Sequence, residues 1–192
     1  MSFTFDETWD RQFKASPFRL RFELGGEQYD NILEPVPRFM QTLTRSRALR
    51  ETSFADSQQL WALIESWEPD GFEALRRIGF RAIPIAEWQV VEEMANRSVE
   101  CLNWQAFDVT GDDAACDTLL WSSIVKEMPI EPKAPVNCYL ADMERGILLN
   151  IYDDRGMDIT ALAASSLTQV RQRFDSWILP YDRSRIDVAV EP

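Results

Sequence analysis

The chain has 192 residues, with 20 Lys and Arg against 32 Asp and Glu, so its formal net charge is −12 at pH 7. It contains no histidine, which excludes catalytic triads that use imidazole as the base and metal sites that use it as a ligand. The length and the 45% content of hydrophobic residues predict a single globular domain over residues 1–192, burying about 70% of its unfolded surface.

The N-terminal part of the chain predicts a helix, a strand and a second helix. Spaced aromatic residues favour an amphipathic helix over residues 5–14. Strict alternation of apolar and charged residues predicts a half-buried strand from Phe18 to Leu24, stopped by two glycines. A helix is expected from Pro37 to Arg50, with Arg47 on the same stripe as four apolar residues: Val36, Phe39, Met40 and Leu43.

Residues 59–97 contain one clear strand and one ambiguous segment. Gln59 to Trp67 is apolar on both faces, which predicts a central strand covered twice. A turn at Pro69-Asp70-Gly71 leads into a short helix from Phe72 that Gly79 closes. Residues 80–97 permit a helical turn or two but are interrupted by Pro84, and their structure is left open.

The C-terminal half predicts a strand, a helix, three short strands and a final helix. The strand runs from Val99 to Val109, and Asp112-Asp113 cap a helix from Ala114 to Met128. Gly156 suits a left-handed position in the last turn between the short strands. The remaining elements are strands Val136–Asp142, Gly146–Tyr152 and Met157–Thr160, a helix capped by Ser165 or Ser166 with Leu167, Val170, Phe174 and Ile178 on one face, and a tail helix near 182–190.

Together these elements predict an α+β domain. The only consecutive strand pairing is an antiparallel meander, which favours a mostly antiparallel sheet over a parallel doubly wound one. We expect five or six strands, with helices packed on the sheet and a C-terminal helix.

The sequence also predicts the compartment. The first thirty residues lack a basic start followed by an apolar run, so we expect no signal peptide and a cytoplasmic location. No stretch is apolar enough to span a membrane. The three cysteines form no Cys-x-x-Cys pair and are expected to be small buried apolar residues.

The negative charge is concentrated in the middle of the chain. Residues 61–128 carry five Lys and Arg against 13 Asp and Glu, a net charge of −8, whereas residues 1–60 and 129–192 carry −1 and −3. An acidic field disfavours direct nucleic-acid binding and favours a basic protein partner. Solubility alone would explain the same charge.

The densest polar cluster is Tyr152-Asp153-Asp154-Arg155-Gly156-Met157-Asp158. Carboxylates this close could bind a divalent cation, but their spacing does not match a calcium loop. A structural interpretation takes Asp153 and Asp154 as turn formers that Arg155 neutralises, and we favour it.

Three arginines are further candidates. Arg19 and Arg21 lie one pleat repeat apart on the same face of a predicted strand, so they need an acidic neighbour such as Asp153 or Asp158, or an anionic ligand, between them. We favour internal pairing. Arg47 must also be paired or placed in a polar cleft.

A second candidate surface is acidic. Its members could bind an arginine- or lysine-rich partner. A solvated face and a helix cap explain them without any partner, and we favour that interpretation. Trp88 lies beside Glu87 and Glu92 as a candidate anchor. The members are Glu87, Glu92, Glu93, Glu100, Asp108, Asp112, Asp113 and Asp117, and the best candidates among them are Glu87, Glu92, Glu93, Asp112 and Asp113.

Several segments resemble a bacterial family of unknown function, DUF3885. They are Phe18 to Gly25, Trp104 to Phe107, Asn150 to Ile159 and Trp177 to Asp182, and the Tyr-Asp-Asp-Arg-Gly run is the most distinctive. The resemblance implies a single bacterial cytosolic domain and carries no activity or catalytic residue.

The leading hypothesis is a non-enzymatic binding protein that needs no cofactor, of the immunity type, whose acidic surface neutralises a basic toxin or another cationic protein. The alternative is a metal-dependent or phosphate-handling enzyme that uses Asp153, Asp154 and Asp158, with Arg19, Arg21 and Arg47 as anion clamps. A scaffold domain without a ligand is a third possibility. The oligomeric state is not predicted.

Overall fold

A computed structural model shows one antiparallel sheet in the strand order β1-β7-β6-β5-β2-β4-β3. The structure describes residues 12–26, 35–93, 99–179 and 183. The strands are β1 (Arg19–Glu23), β2 (Trp61–Ser66), β3 (Pro84–Glu93), β4 (Val99–Asp108), β5 (Val136–Asp142), β6 (Ile147–Ile151) and β7 (Gly156–Ala161). The helices are α1 (Pro35–Ser53), α2 (Gly71–Arg77), α3 (Asp113–Ile124) and α4 (Thr168–Arg173), with 3-10 turns at Ala164–Leu167 and Asp175–Trp177.

The α+β class and the antiparallel sheet are confirmed, but the sheet has seven strands, not five or six. The additional strand is β3, which occupies the segment left open at residues 80–97 and is not helical. Pro84 is tolerated because it is the first residue of a strand at the sheet edge, where no ladder hydrogen bond is lost. Ala86, Trp88 and Val90 alternate on one face, which is the period of a strand.

One face of the sheet is packed against the helices. β1, β2 and β4 each place buried apolar side chains there, including Phe22, Ile64 and Phe107, and these join one large core with residues of α1 and α3. The alternation predicted from Phe18 to Leu24 is confirmed, since Leu20, Phe22 and Leu24 are all buried. Of the described residues, no helix is both long and apolar enough to cross a bilayer.

The opposite face is covered by aromatic side chains. Trp88 stacks on Trp104 with ring centroids 5.8 Å apart, and Trp104 stacks on Tyr139 at 5.6 Å. Beneath them lie Trp61 and Leu63 of β2, at 6% and 2% exposure. The sequence prediction that β2 is central and buried on both faces is therefore confirmed.

The apolar stripe expected on α1 is partly wrong. Val36 and Met40 are exposed, and the buried face instead includes Thr42 and Ser46 beside Phe39. The Ser46 hydroxyl donates a hydrogen bond to the Thr42 carbonyl oxygen at 2.7 Å. This bond satisfies the hydroxyl inside the helix, so a small polar residue can pack in the core without an unpaired polar atom.

The predicted ends of other helices differ from the observed ones. α3 begins as expected, with Asp112 accepting a hydrogen bond from the Ala115 amide, but it ends at Ile124 and not at Met128. The single C-terminal helix is broken into α4 and two 3-10 turns, and no side-chain cap from Ser165 or Ser166 is present. The expected buried face is confirmed for Leu167, Val170, Phe174 and Ile178.

Two predicted helices fall largely outside the described residues. Residues 12–15 are helical, but the rest of the helix predicted at 5–14 is not described. Of the tail helix predicted near 182–190, the structure describes residue 183 alone.

The cysteines do not share one environment. Cys116 and Cys138 are buried as expected, but Cys101 is exposed because it lies on β4 opposite Val91 of the edge strand. Burial raises the pKa of Cys138 to about 12 and also raises that of Cys116. Because the thiolate is the reactive form, both buried thiols are protected by access and by protonation.

We therefore expect one of the three thiols to react with Ellman's reagent in the native protein, and all three to react after unfolding. The Cys101→Ser variant should show no rapid native reaction, because Cys101 is the exposed thiol. Equal native reaction rates for two or more thiols would contradict this arrangement.

Candidate functional site

The polar run predicted to be a turn connects β6 to β7. Asp153 accepts three hydrogen bonds from Arg155. The backbone amide donates to Oδ1 and Nε to Oδ2, each at 2.7 Å, and Nη2 also donates to Oδ2. The Asp153 residue is only 2% exposed. The side chain thus closes the turn on its own backbone and is neutralised by the adjacent guanidinium, as the structural interpretation expects.

Asp154 points to the other side of the turn and binds α1. Its Oδ2 forms an ion pair with Arg38, and its carbonyl oxygen accepts a hydrogen bond from the Thr42 hydroxyl at 3.0 Å. Burial raises the pKa of Asp154, and the Arg38 charge opposes this increase. The turn is therefore attached to the helix layer through a buried ion pair.

Asp158 pairs with Arg21 across neighbouring strands. The two residues are register partners of β7 and β1, and Arg21 donates from Nε and Nη2 to the two carboxylate oxygens at 2.8 and 2.9 Å. Arg19 instead donates to the Thr160 hydroxyl at 3.1 Å. Internal pairing is the interpretation that the sequence favours for both arginines. Arg21 has an acidic neighbour, Asp158, whereas Arg19 is bonded to the hydroxyl of Thr160.

The left-handed position expected for Gly156 is wrong. Gly156 is the first residue of β7, and the positive φ belongs to Gly146, at 63°, in the turn before β6. Gly156 is required for another reason: a Cβ there would lie 2.8 Å from Tyr152 Cζ. The tyrosine ring lies directly over the glycine, with the Arg21 guanidinium 5.9 Å from the ring centroid.

Arg47 lies elsewhere. It extends from α1 to Asp117 of α3 and donates two hydrogen bonds, at 2.8 and 2.7 Å. The hydrogen bond to Asp117 raises the pKa of Arg47. Because β1 turns Leu20 and Phe22 toward the helices, Arg19 and Arg21 are on the opposite sheet face. The three arginines of the anion-clamp hypothesis therefore do not converge.

The carboxylates of the metal hypothesis do not converge either. Asp153, Asp154 and Asp158 each face a different arginine. Within residues 12–26, 35–93, 99–179 and 183, no group of three or more Cys, Asp or Glu side chains is arranged to hold a metal ion. A groove of about 610 Å³ does bring together four of the candidate residues, Arg21, Tyr152, Arg155 and Asp158.

The acidic candidates lie at the β3–β4 end of the sheet and at the start of α3. Glu87 is exposed and accepts a hydrogen bond from Gln105 Nε2 at 3.1 Å. Asp113 forms an ion pair with Arg50 at 2.8 Å, and Asp112 caps α3. Glu92 and Glu93 are in β3, with side chains outside the described part. Trp88, proposed as an anchor, is half-buried in the aromatic stack.

Sequence reasoning missed two sets of residues. The first set is Arg38 and Arg50, the arginines of α1 that are largely withdrawn from solvent. Each lies one helical turn from a buried residue, Thr42 or Ser46, and this spacing could have indicated that they face the core. A ladder of amides was also missed: Gln89 donates to Asn103 at 2.9 Å, beside the Glu87–Gln105 pair. Its signal was the alternation of polar residues with Trp104 and Ala106 along β4.

Fold and contacts define an α+β protein with a seven-stranded antiparallel sheet, a helix layer on one face and an arginine–carboxylate turn joining the two. A family model described as Domain of unknown function (DUF3885) matches residues 1–182. The chain belongs to this family, which confirms the resemblance seen in the sequence. Comparison with curated proteins and with solved structures found no match.

Replacing Arg38 by Met should lower the free energy of unfolding by about 3 kcal/mol at neutral pH, because a buried carboxylate loses its partner. The folded pKa of Asp154, already above the ordinary value, should rise further, so the folded state binds a proton first. The decrease in unfolding free energy caused by Arg38→Met should therefore be smaller at about pH 5 than at neutral pH. Urea denaturation of the wild type and the variant at these two pH values measures the difference.

The double variant Arg38→Met, Asp154→Asn is the control, because it removes the unpaired charge together with its partner. It should recover most of the loss at neutral pH. A loss that is the same at both pH values, or that the double variant fails to reduce, would contradict the buried ion pair.

Arg47→Gln should behave differently. The Arg47 and Asp117 side chains are 44% and 35% exposed, and exposed pairs stabilise proteins by about 0–1 kcal/mol. We expect a decrease in unfolding free energy within that range, and a smaller one at high salt. A decrease as large as that of Arg38→Met in the same urea titration would show that the pair supports the α1–α3 contact.

Proposed function

We propose that this protein is a non-enzymatic binding protein whose acidic surface takes a basic protein partner. An immunity protein that neutralises a basic toxin in the cytoplasm of a bacterium is the class that this surface suits best. The proposal follows from how charges are matched in one part of the molecule and left unmatched in another.

Near α1, β1 and β7, acidic side chains are neutralised internally. The carboxylates of Asp117, Asp153, Asp154 and Asp158 each form an ion pair with an arginine. The positive charge of this region is thus used within the fold, which leaves little to attract an anionic substrate.

At the β3–β4 end, three described carboxylates accept hydrogen bonds only from neutral donors. Glu87 accepts from Gln105, Asp108 from Gln59 and the Thr110 amide, and Asp112 from the Ala115 amide. No Lys or Arg of the described segments forms an ion pair with any of these three acids. This uncompensated surface is the observation that carries the proposal.

The negative charge of Asp108 persists at physiological pH. Hydrogen bonding from Thr110 lowers the pKa of Asp108, so this carboxylate stays ionised. Fixed negative charge on an exposed surface accelerates the approach of basic proteins and orients them before contact. Binding of this type weakens as salt screens the charges.

The test uses a triple variant, Glu87→Gln, Asp108→Asn and Asp112→Asn. Each replacement keeps an oxygen acceptor, and Asn is as good a helix cap as Asp, so the fold is retained while three charges are removed. The matched control removes three exposed charges outside β3, β4 and α3: Asp56→Asn, Glu131→Gln and Glu144→Gln.

The wild-type chain, immobilised at low salt, should retain a basic protein from extracts of its own cells or from co-expression with products of adjacent genes. The affinity for that purified protein should fall about tenfold or more in the triple variant, a loss of at least ~1.4 kcal/mol, and change little in the control. Equal weakening in both variants, an acidic partner, or affinity independent of salt would overturn the proposal.

A further inference from the structure

The two edges of the sheet differ in how far other parts of the chain cover them. At β1, the chain covers its own edge: the Leu179 amide donates to the Arg21 carbonyl oxygen at 3.3 Å, and Ile178 forms a bridge with Phe22. At the other end, β4 is the only strand paired with β3 in the described part of the chain. Unpaired backbone groups at such an edge are a template for a further strand.

Along most of its length, glutamates are the only protective feature of β3 as an edge strand. Pro84 and a register shift before Ala86 disrupt its start, but the pairing with β4 is continuous from Ala86 to Glu93. Apolar side chains at this edge are exposed: Ile83 by 79%, Ile85 by 47% and Val91 by 66%. A long, regular, partly apolar edge is suited to pairing with another chain.

Charge selects the occupant. β3 contains three glutamates, Glu87, Glu92 and Glu93, and no Lys or Arg. Pairing two copies of β3 would place like charges on neighbouring strands, which is destabilising, whereas a strand with Lys or Arg would form opposite-charge pairs. The edge therefore disfavours a second copy of this chain and favours a basic segment.

A groove beside the edge provides a place for one cationic side chain. It has a volume of about 490 Å³ and is lined by Pro69, Phe72, Glu87 and Gln105, among others. Gln105 Nε2 donates to Glu87, and its Oε1 accepts no hydrogen bond although it is buried. An ammonium or guanidinium group bound here would donate to both side chains, while its methylene stem packs on the two apolar residues.

We infer that β3 is the docking edge for an extended segment of a basic protein, which adds to the sheet as a further strand and places a Lys or Arg beside Glu87 and Gln105. This inference rests on the proposed function, since it names how the basic partner is bound. Backbone hydrogen bonds give the affinity, and Glu87 selects a basic side chain at the position beside it.

The first experiment uses a fluorescent peptide of alternating Lys and Val as the probe, with its copy N-methylated at every residue, and so on both edges of the strand, as control. Both peptides carry the same charge, but the N-methylated one cannot complete the ladder. Fluorescence anisotropy at low salt should show binding of the first and about tenfold or weaker binding of the second, the effect of losing at least ~1.4 kcal/mol. No binding of the first, or equal binding of the two, overturns the inference.

The second experiment tests the location. Glu87→Lys should abolish binding of the alternating peptide, whereas Asp56→Lys, the same change at an exposed position outside β3, should leave it within about twofold. Hydrogen exchange of the β3 amides should slow on binding, and Cys101, exposed on β4 opposite Val91, should react more slowly with thiol reagents. Unchanged exchange in β3 overturns strand addition.

The inference and the proposed function fail separately. If the natural partner binds with strong salt dependence and is lost in the triple variant, but β3 exchange is unchanged, the proposed function stands and strand addition is wrong. If the alternating peptide binds at β3 while no basic partner is recovered from cells, strand addition stands and the proposed function is wrong.

Discussion

The ion pair between Arg38 and Asp154 is the contact on which the arrangement of the helix layer depends. It joins the first turn of α1 to the turn between β6 and β7, and the Thr42 hydroxyl bonds the same turn one helical turn later. Because both groups are largely withdrawn from water, each requires the other, and a displaced helix would leave a buried charge uncompensated. We therefore expect the pair to constrain how α1 lies on the sheet more than it adds net stability.

The turn that forms this contact is also the most distinctive part of the sequence. Each side chain in it has a structural partner: Asp153 binds Arg155, Tyr152 covers Gly156, and Asp158 binds Arg21 of β1. A run of three carboxylates in six residues resembles a metal or phosphate site when only spacing is considered. The contacts instead show a device that fastens β1, β7 and α1 together, which explains the pattern without a ligand.

Most of the fold could be predicted from the sequence because period and turn chemistry are local properties. The alternation in β1, the doubly apolar β2 and the cap at Asp112 each depend on a few neighbouring residues.

β3 could not be predicted, since an edge strand buries one row of side chains only partly and its spacing also fits a helical turn. The buried face of α1 was misjudged because the Ser46 hydroxyl bonds within the helix and the Thr42 hydroxyl bonds the Asp154 carbonyl oxygen, contacts that apolar spacing does not show. Of the candidate site, the pairing of Arg21 with an acid was predictable; which acid, and the partner of Arg47, depended on tertiary packing.

Carboxylates that are paired with arginine and carboxylates that are not lie in different parts of the molecule. Arginines of α1 and β1 form ion pairs with carboxylates of the fold. Glu87 of β3, Asp108 of β4 and Asp112, the residue before α3, accept hydrogen bonds only from neutral donors. The same end of the sheet contains the edge strand β3, which in the described chain pairs with β4 alone. Exposed apolar residues lie at this edge. A purely solubilising surface has no need for exposed isoleucine and valine beside an open strand, since these promote association. Under the proposed function, negative charge along the edge disfavours association with identical copies and favours a basic partner, and this combination is what we propose for a recognition surface.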